Sequence, residues 1–275
     1  MRLVTFRDDD EVRPGELGED GDVRVLAGPT LVDWLAGGAA RMPTRVQADV
    51  EKVSLIAPLP HPPAVRDFFA YEGHVRAGWK LRGGEIPEAW YDAPVFYFSN
   101  PAGIVGPGEK VRRPQGCRML DFELEVAAVI GADEEIAAFT LLNDWSARDL
   151  QAREMSVGLG PHKGKDFATS LGPWLRTVDE LPFADGRLDL EVAATINGRE
   201  VARANTREAH WSWPEMVAHA RRDTRLRPGD VLGSGTVNGG CLLELGPLDG
   251  DRWLEPGDVV ALHAEGLGTL ENEIV

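Results

Sequence analysis

The chain has 275 residues, 43% of them hydrophobic and 27% charged, a globular balance that excludes wholesale disorder. Lys plus Arg total 29 and Asp plus Glu total 45, a formal charge of −16. Such a surface repels phosphate backbones and anionic lipid, which argues against a general nucleic-acid or membrane-surface role. The two cysteines, Cys117 and Cys241, are too few for a disulfide framework and lack zinc spacing, so they read as buried thiols in a reducing compartment. Met1-Arg2-Leu3-Val4-Thr5-Phe6-Arg7 runs straight into three aspartates, so no apolar signal core forms there. No apolar run is long enough to span a bilayer, and a soluble, cytoplasmic protein is expected.

In chain order, residues 3–6 and 23–26 read as strands. Residues 30–35 read as a short helix, with Thr30 as N-cap and an end at Gly37-Gly38. The proline-rich stretch 57–63 cannot be helical and reads as a linker. It separates a small N-terminal unit, residues 1–58, from residues 59–275. Beyond it, residues 121–129 alternate at first, with Phe122, Leu124 and Val126 on one face and Asp121, Glu123 and Glu125 on the other. Residues 146–155 suggest a helix. Residues 188–204 form a hairpin candidate around Asn197-Gly198, a pair that suits a tight turn because both central positions need positive φ. A second helix is expected over 213–222, with Ser212 as cap and Pro214 in its first turn. Pro228-Gly229-Asp230 and Pro256-Gly257-Asp258 open two related turn-then-strand segments. Strands dominate, so the expected fold is α+β and β-rich, not a doubly wound sheet.

Several positions could carry chemistry. Glu123 and Glu125 are two apart, so on a strand they point the same way. Two adjacent anions repel unless a cation lies between them; the alternative is a solvated strand face. Arg148 and Gln151 are three apart, so a helix places them on one face. Asp144 could point into a site or cap that helix, and Arg148 could instead pair with Asp149 or Glu154 on the surface. The glycine-rich stretch 158–170 holds Lys163 and Lys165 but lacks the spacing and preceding strand of a phosphate loop. Asp67 and His74 lie close together in sequence.

These segments together resemble the fumarylacetoacetate hydrolase family. The resemblance covers about residues 60–250. It rests on Arg66-Asp67-Phe68 with His74, Asp121-Phe122-Glu123-Leu124-Glu125, Asn143 to Gln151, Lys163 to Thr169, and Gly233-Ser234-Gly235-Thr236. It implies a small N-terminal α/β unit followed by the mixed β-sandwich roll of that family's C-terminal domain, and a homodimer. It implies a divalent-metal site in which Glu123, Glu125 and Asp144 match the metal carboxylates and Asp67 a fourth acidic ligand of some members. Oxygen ligands without a thiolate favour Mg²⁺, with Mn²⁺ or Ca²⁺ as alternatives.

By the same resemblance His74 matches the residue that activates water, and Glu244 the acid that orients it. Arg148, Gln151 and Lys165 match donors to the substrate, with Thr169 and Thr236 as further contacts. Phe69 stands where mammalian members place a tyrosine, and Ala77 where decarboxylases of the family place a lid glutamate. Residues 76–93 are the candidate lid. The implied activity is hydrolytic C–C cleavage of a 1,3-diketo acid such as an acylpyruvate. The alternative is decarboxylation or keto–enol isomerisation of a related keto acid.

Overall fold

The computed structural model describes residues 1–37, 43–49 (backbone only) and 53–275. Its main feature is a large sheet. From edge to edge the strands are Pro43–Asp49, Asp22–Leu26, Glu11–Leu17, Arg2–Asp8, Thr169–Thr177, Ile136–Asn143, Leu124–Ile130, Val231–Gly233, Val65–Phe68 and Phe96–Ser99. Neighbours along this path are antiparallel except Val231–Gly233, which runs parallel to Val65–Phe68. A second, four-stranded sheet of Arg199–Asn205, Glu191–Ile196, Val259–Ala264 and Gly268–Glu273 packs against it. The β-rich α+β class and the sandwich-like roll expected from the sequence are what the chain adopts.

The strand Leu124–Ile130 is buried along its whole length. The alternation expected over 121–129 is therefore replaced by burial on both faces. Val126, Ala128 and Ile130 pack with Val192, Ala194 and Leu262 of the second sheet. Ala127 and Val129 face the opposite way, onto Leu3, Leu31, Trp34 and Leu35. A central strand covered on both sides reads as a continuous apolar run, which is why its period is weak. A smaller core of Val4, Phe6, Leu17 and Val23 lies among the first strands. Those strands join the main sheet through Arg2–Asp8, which pairs with Thr169–Thr177.

Local chemistry explains the ends of the elements. Asn197 and Gly198 take φ of 52° and 78° between the paired Ile196 and Arg199, as the two-residue turn requires. Ser212 and Glu215 form a capping box at the start of the helix Trp213–Arg221. Thr30 accepts from the Asp33 N–H at 3.2 Å and caps the helix Leu31–Leu35. Gly37 follows with φ +72°, and Gly38 lies outside the described residues. The two Pro-Gly-Asp turns share one device. Asp230 accepts from the Arg227 N–H at 3.2 Å, and Asp258 from the Glu255 N–H at 3.0 Å. The expected helix over 146–155 begins at Arg148 instead, because Ser146–Ala147 pairs with Leu120–Asp121. Among the described residues no helix is long and apolar enough to cross a membrane.

Candidate active site

Carboxylates from three strands meet at one end of the large sheet, two of them flanking the strand Val231–Gly233. Asp67 sits on Val65–Phe68, opposite Gly233 on one side and Tyr97 on the other. Glu125 opens the strand Leu124–Ile130, and Asp144 follows the end of Ile136–Asn143. Oxygens of Asp67, Glu125 and Asp144 all lie within 4.8 Å of one another, and all three residues are buried. Gly233 leaves the room for this. A Cβ there would stand 2.4 Å from Asp67 Oδ1 and 3.2 Å from Glu125 Oε2, so any larger residue would displace a carboxylate. Glu125 is fixed by the Gly235 N–H at 3.1 Å and by the Thr236 hydroxyl at 3.4 Å.

Glu123 sits just ahead of the strand, held by its own N–H on Asn143 Oδ1 at 2.9 Å. Its carboxylate turns to the cations. Lys165 donates to it and, at 2.5 Å, to Asp144 Oδ2, while Arg148 Nη2 lies 2.7 Å from Glu123 Oε1. Burial opposes charge on Glu123, but Arg148 and Lys165 outweigh it and hold this carboxyl below its ordinary range. Burial likewise opposes the Lys165 charge, and Asp144 and Glu123 keep the ammonium firmly protonated. The solvated-face reading of Glu123 and Glu125 is thereby excluded, as is a surface role for Arg148.

Asp67 and Glu125 behave oppositely. Burial first, then Asp144 for Asp67 and Asp67 for Glu125, pushes both carboxyls well above their usual values. Asp67 Oδ1 and Asp144 Oδ1 are buried without a hydrogen-bond partner. Converging carboxylates, two orphaned oxygens and no sulfur among them are the donor set of a hard divalent cation. The sequence ranks Asp67 behind Glu123 as a ligand. The structure puts Asp67 in the tight trio and Glu123 at its edge, between the trio and the two cations.

His74 enters from the first turn of the helix Glu72–Leu81, and its ring packs edge-on against Phe69 at 5.3 Å. Its Nδ1 lies 2.6 Å from Glu244 Oε1, and its Nε2 lies 3.8 Å from Glu123 Oε1. Glu244 comes from the short helix Leu242–Leu245, and its other oxygen accepts from the Gly239 N–H at 3.0 Å. An acceptor at Nδ1 places an imidazole proton there, and Nε2 faces the carboxylates.

A cavity of about 430 Å³ opens above this floor. Asp67, Phe69, His74, Glu123, Glu125, Arg148, Gln151, Lys165 and Thr236 all line it. Glu244 stands behind His74. Thr169 does not reach the wall; its hydroxyl is 3.2 Å from Ser99 Oγ in the interior. Trp79, Arg82, Pro87, Ala89 and Trp90 of the 76–93 segment form the far side. Trp90 pins that segment, donating from Nε1 to the Phe69 carbonyl at 2.9 Å and packing on His210.

Two residues absent from the sequence-derived site belong to it by position. Tyr97 lines the cavity and donates to Asp144 Oδ2 at 2.7 Å. Asp121 is fully buried. It accepts from Arg148 Nε at 2.8 Å and from the N–H groups of Leu242 and Leu243 at 2.8 and 3.0 Å. One carboxylate therefore holds both the arginine and the helix that carries Glu244. The period-2 pattern puts Asp121 on the same face as Glu123 and Glu125, which was the signal for it. Nothing local marks Tyr97, since its importance comes from pairing with the strand of Asp67. Asp121→Ala leaves Arg148 with Glu123 as its remaining carboxylate and unpairs two N–H groups of the helix, so it should cost ~3–5 kcal/mol of stability, read as a lower urea midpoint. An unchanged midpoint would show that Arg148 does not depend on it.

Residues 64–275 match the family model described as fumarylacetoacetate (FAA) hydrolase C-terminal. The chain belongs to the fumarylacetoacetate hydrolase family. It is 33% identical over 288 residues to the fumarylacetoacetase of Arabidopsis thaliana, covering 76% of this chain and 68% of that protein. It is 31% identical over 254 residues to the fumarylacetoacetase of Bos taurus, covering 70% and 60%. The chain thus spans about three fifths to two thirds of the length of these curated relatives. Among solved structures, a fumarylacetoacetate hydrolase from Exiguobacterium antarcticum superposes with a TM-score of 0.81 at 25% identity, covering 100% of this chain and 99% of that one. A 5-carboxymethyl-2-hydroxymuconate delta-isomerase from Mycobacterium smegmatis does so with 0.77 at 27% identity, over 100% and 99%. The relatives of this fumarylacetoacetate hydrolase family member are therefore enzymes of more than one reaction type.

Proposed function

We propose that the chain is a divalent-metal-dependent hydrolase that cleaves a C–C bond in a 1,3-diketo acid of the acylpyruvate type. The observation that carries this is the His74–Glu244 pair, whose free Nε2 faces the carboxylate floor of the cavity. Asp67, Glu125 and Asp144 would hold the ion, with Glu123 beside them, and Mg²⁺ is the ion that suits an all-oxygen set. When bound, it supplies Lewis-acid polarisation of the keto acid and stabilises the enolate that leaves.

The chain's own residues do the rest. Glu244 keeps the proton of His74 on Nδ1, so Nε2 takes a proton from water as that water attacks the distal carbonyl. Lys165 and Arg148 offset negative charge on the tetrahedral centre and on the enolate that departs as the C–C bond breaks, and the proton held on Nε2 passes to that enolate carbon. Gln151 donates to the substrate from the wall through its amide, the Tyr97 and Thr236 hydroxyls border the substrate while their protons go to Asp144 and Glu125, and Phe69 packs against His74. Trp90, attached to the Phe69 carbonyl and packed on His210, gives the far side an aromatic wall. Residues 1–58 are read as a separate small unit with its own core of Val4, Phe6, Leu17 and Val23, and the protein as a homodimer in the cytoplasm.

A second reading, isomerisation or decarboxylation of a related keto acid, is supported by the isomerase among the structural relatives. It needs the metal and the enolate-stabilising cations but not a water-activating base. Product analysis on an acylpyruvate with Mg²⁺ separates the two. Two acids in equal amounts are expected; carbon dioxide or a tautomer as sole product would overturn the hydrolase reading.

Cation binding also has a pH signature. Without a cation, the raised carboxyls of Asp67 and Glu125 bind protons more tightly in the folded than in the unfolded chain. Their contribution to stability is full below about pH 4 and is lost as pH rises through the folded values. Mg²⁺ replaces those protons. The rise in Tm on adding Mg²⁺ should therefore grow from pH 5 to pH 8, on the order of several degrees. A rise that shrinks with pH would contradict the assignment.

A further inference from the structure

We infer that His74, Cys241 and Glu244 form a second metal site, selective for a thiophilic divalent ion such as Zn²⁺, whose occupancy switches off the His74–Glu244 pair. The spacing of the cysteines along the chain gives no zinc motif, but folding brings an imidazole, a thiol and a carboxylate together. Nδ1 of His74, Sγ of Cys241 and an oxygen of Glu244 all lie within 4.8 Å of one another. Cys241 Sγ is 3.5 Å from Glu244 Oε1 and 3.9 Å from His74 Nδ1. Bonds of about 2.3 Å to sulfur and 2.0–2.2 Å to nitrogen and oxygen, at tetrahedral angles, put neighbouring ligand atoms about 3.3–3.7 Å apart. Both sulfur separations are already close to that range.

The remaining pair, Nδ1 and Oε1, is 2.6 Å apart and hydrogen-bonded. It has to open by about 0.7 Å to admit the ion. Glu244 can supply the movement, because it retains partial exposure and its second oxygen is held by a single backbone N–H, that of Gly239. The partial exposure of Glu244 gives the ion its entry path on the side of His74 away from the cavity. Ligand type separates this site from the carboxylate trio. Sulfur and imidazole favour Zn²⁺, whereas oxygen alone favours Mg²⁺.

The proton balance follows from the tautomer. The ion takes the lone pair at Nδ1, so the single N–H of the neutral ring moves to Nε2. Cys241 loses its thiol proton to solvent; burial keeps that proton in place until a metal arrives. Nε2 then donates and cannot accept a proton from water. The inhibitory consequence rests on the hydrolase reading, but the site itself does not.

The test uses Co²⁺ as a coloured stand-in for Zn²⁺, with the full chain and excess Mg²⁺ present to fill the carboxylate trio. One equivalent should produce a thiolate-to-cobalt charge-transfer band, displaced by Zn²⁺, kept in Cys117→Ser and lost in Cys241→Ser. Serine suits position 241, which is the N-cap of the helix Leu242–Leu245. No band in the parent, or a band that survives in Cys241→Ser, overturns the site. With an acylpyruvate and saturating Mg²⁺, Zn²⁺ should lower turnover by about 10²-fold or more, as loss of a positioned base does, and Cys241→Ser should relieve that inhibition. A cobalt band without zinc inhibition overturns the switch. A cobalt band in a protein that cleaves no acylpyruvate supports the site and defeats the hydrolase reading instead.

Discussion

His74→Ala should lower hydrolytic cleavage of an acylpyruvate by about 10²–10⁴-fold while leaving Mg²⁺ binding intact. Among the described residues that line the cavity, His74 alone turns an imidazole nitrogen to the carboxylate floor, and its other nitrogen is committed to Glu244 at 2.6 Å. Lys165 and Arg148 are locked as cations by their ion pairs and cannot stand in as bases. Glu244→Gln should cost less than His74→Ala, because the amide still contacts Nδ1 but no longer favours the imidazolium that forms when water is deprotonated. Oxaloacetate decarboxylation, if the site performs it, should be far less sensitive to Glu244. Steady-state rates and product ratios for both variants check this. Full hydrolysis by His74→Ala would shift the assignment to the isomerase or decarboxylase reading.

Removing the cation should have an effect of similar size. Chelation, or Glu125→Ala, should reduce turnover by about 10³-fold, the equivalent of several kcal/mol of Lewis-acid stabilisation. Glu125 is the better choice for mutation than Glu123. Glu123 also neutralises Lys165 and Arg148, so its loss would combine two effects. Glu125 has a hydroxyl and a backbone N–H as its partners, together with the crowded carboxyl of Asp67. The two manipulations should differ in stability. Chelation should lower Tm because three carboxylates are left facing one another, whereas Glu125→Ala relieves part of that repulsion even as it destroys the site. Calorimetry with and without Mg²⁺ reads the difference directly. Full turnover in the chelated protein would remove the metal from the proposal.

How far the sequence carried this reading depended on the kind of contact. Short-range features were legible. The Asn197-Gly198 turn, the Ser212 cap and the Arg148–Gln151 pair, now joined at 3.3 Å, follow from spacing and turn chemistry alone. Glu123 and Glu125 were visible as a pair, but their burial was not. An acidic residue on a strand reads as solvated unless its neighbours across the sheet are known. The partition of the carboxylates, with Asp67 inside the trio and Glu123 turned to the cations, depends on Gly233 lying beside Asp67 in a parallel pairing that no local pattern announces. Tyr97 escaped for the same reason. Thr169 was carried by resemblance to the site, yet its hydroxyl turns to Ser99. The boundary at residue 58 followed the prolines, although backbone pairing continues from the early strands into the main sheet.

That pairing has a consequence for the chain as it is made. The N-terminal amine reaches Thr177, 176 residues later, and Arg2 pairs with Arg176. The strand of Asp67 waits for Val231–Gly233, and His74 waits 170 residues for Glu244. A ribosome releasing the chain from its N-terminus therefore exposes strand edges long before their partners exist, and domains rich in such distant pairings fold slowly. Residues 242–275, made after every strand of the main sheet, supply Glu244 and the strands that close the second sheet, Val259–Ala264 and Gly268–Glu273. Nascent chains stopped short of that segment should lack protease resistance and hold the acidic floor open to water. In the living cell, the capacity for chemistry would arrive with residues 242–275 rather than by degrees.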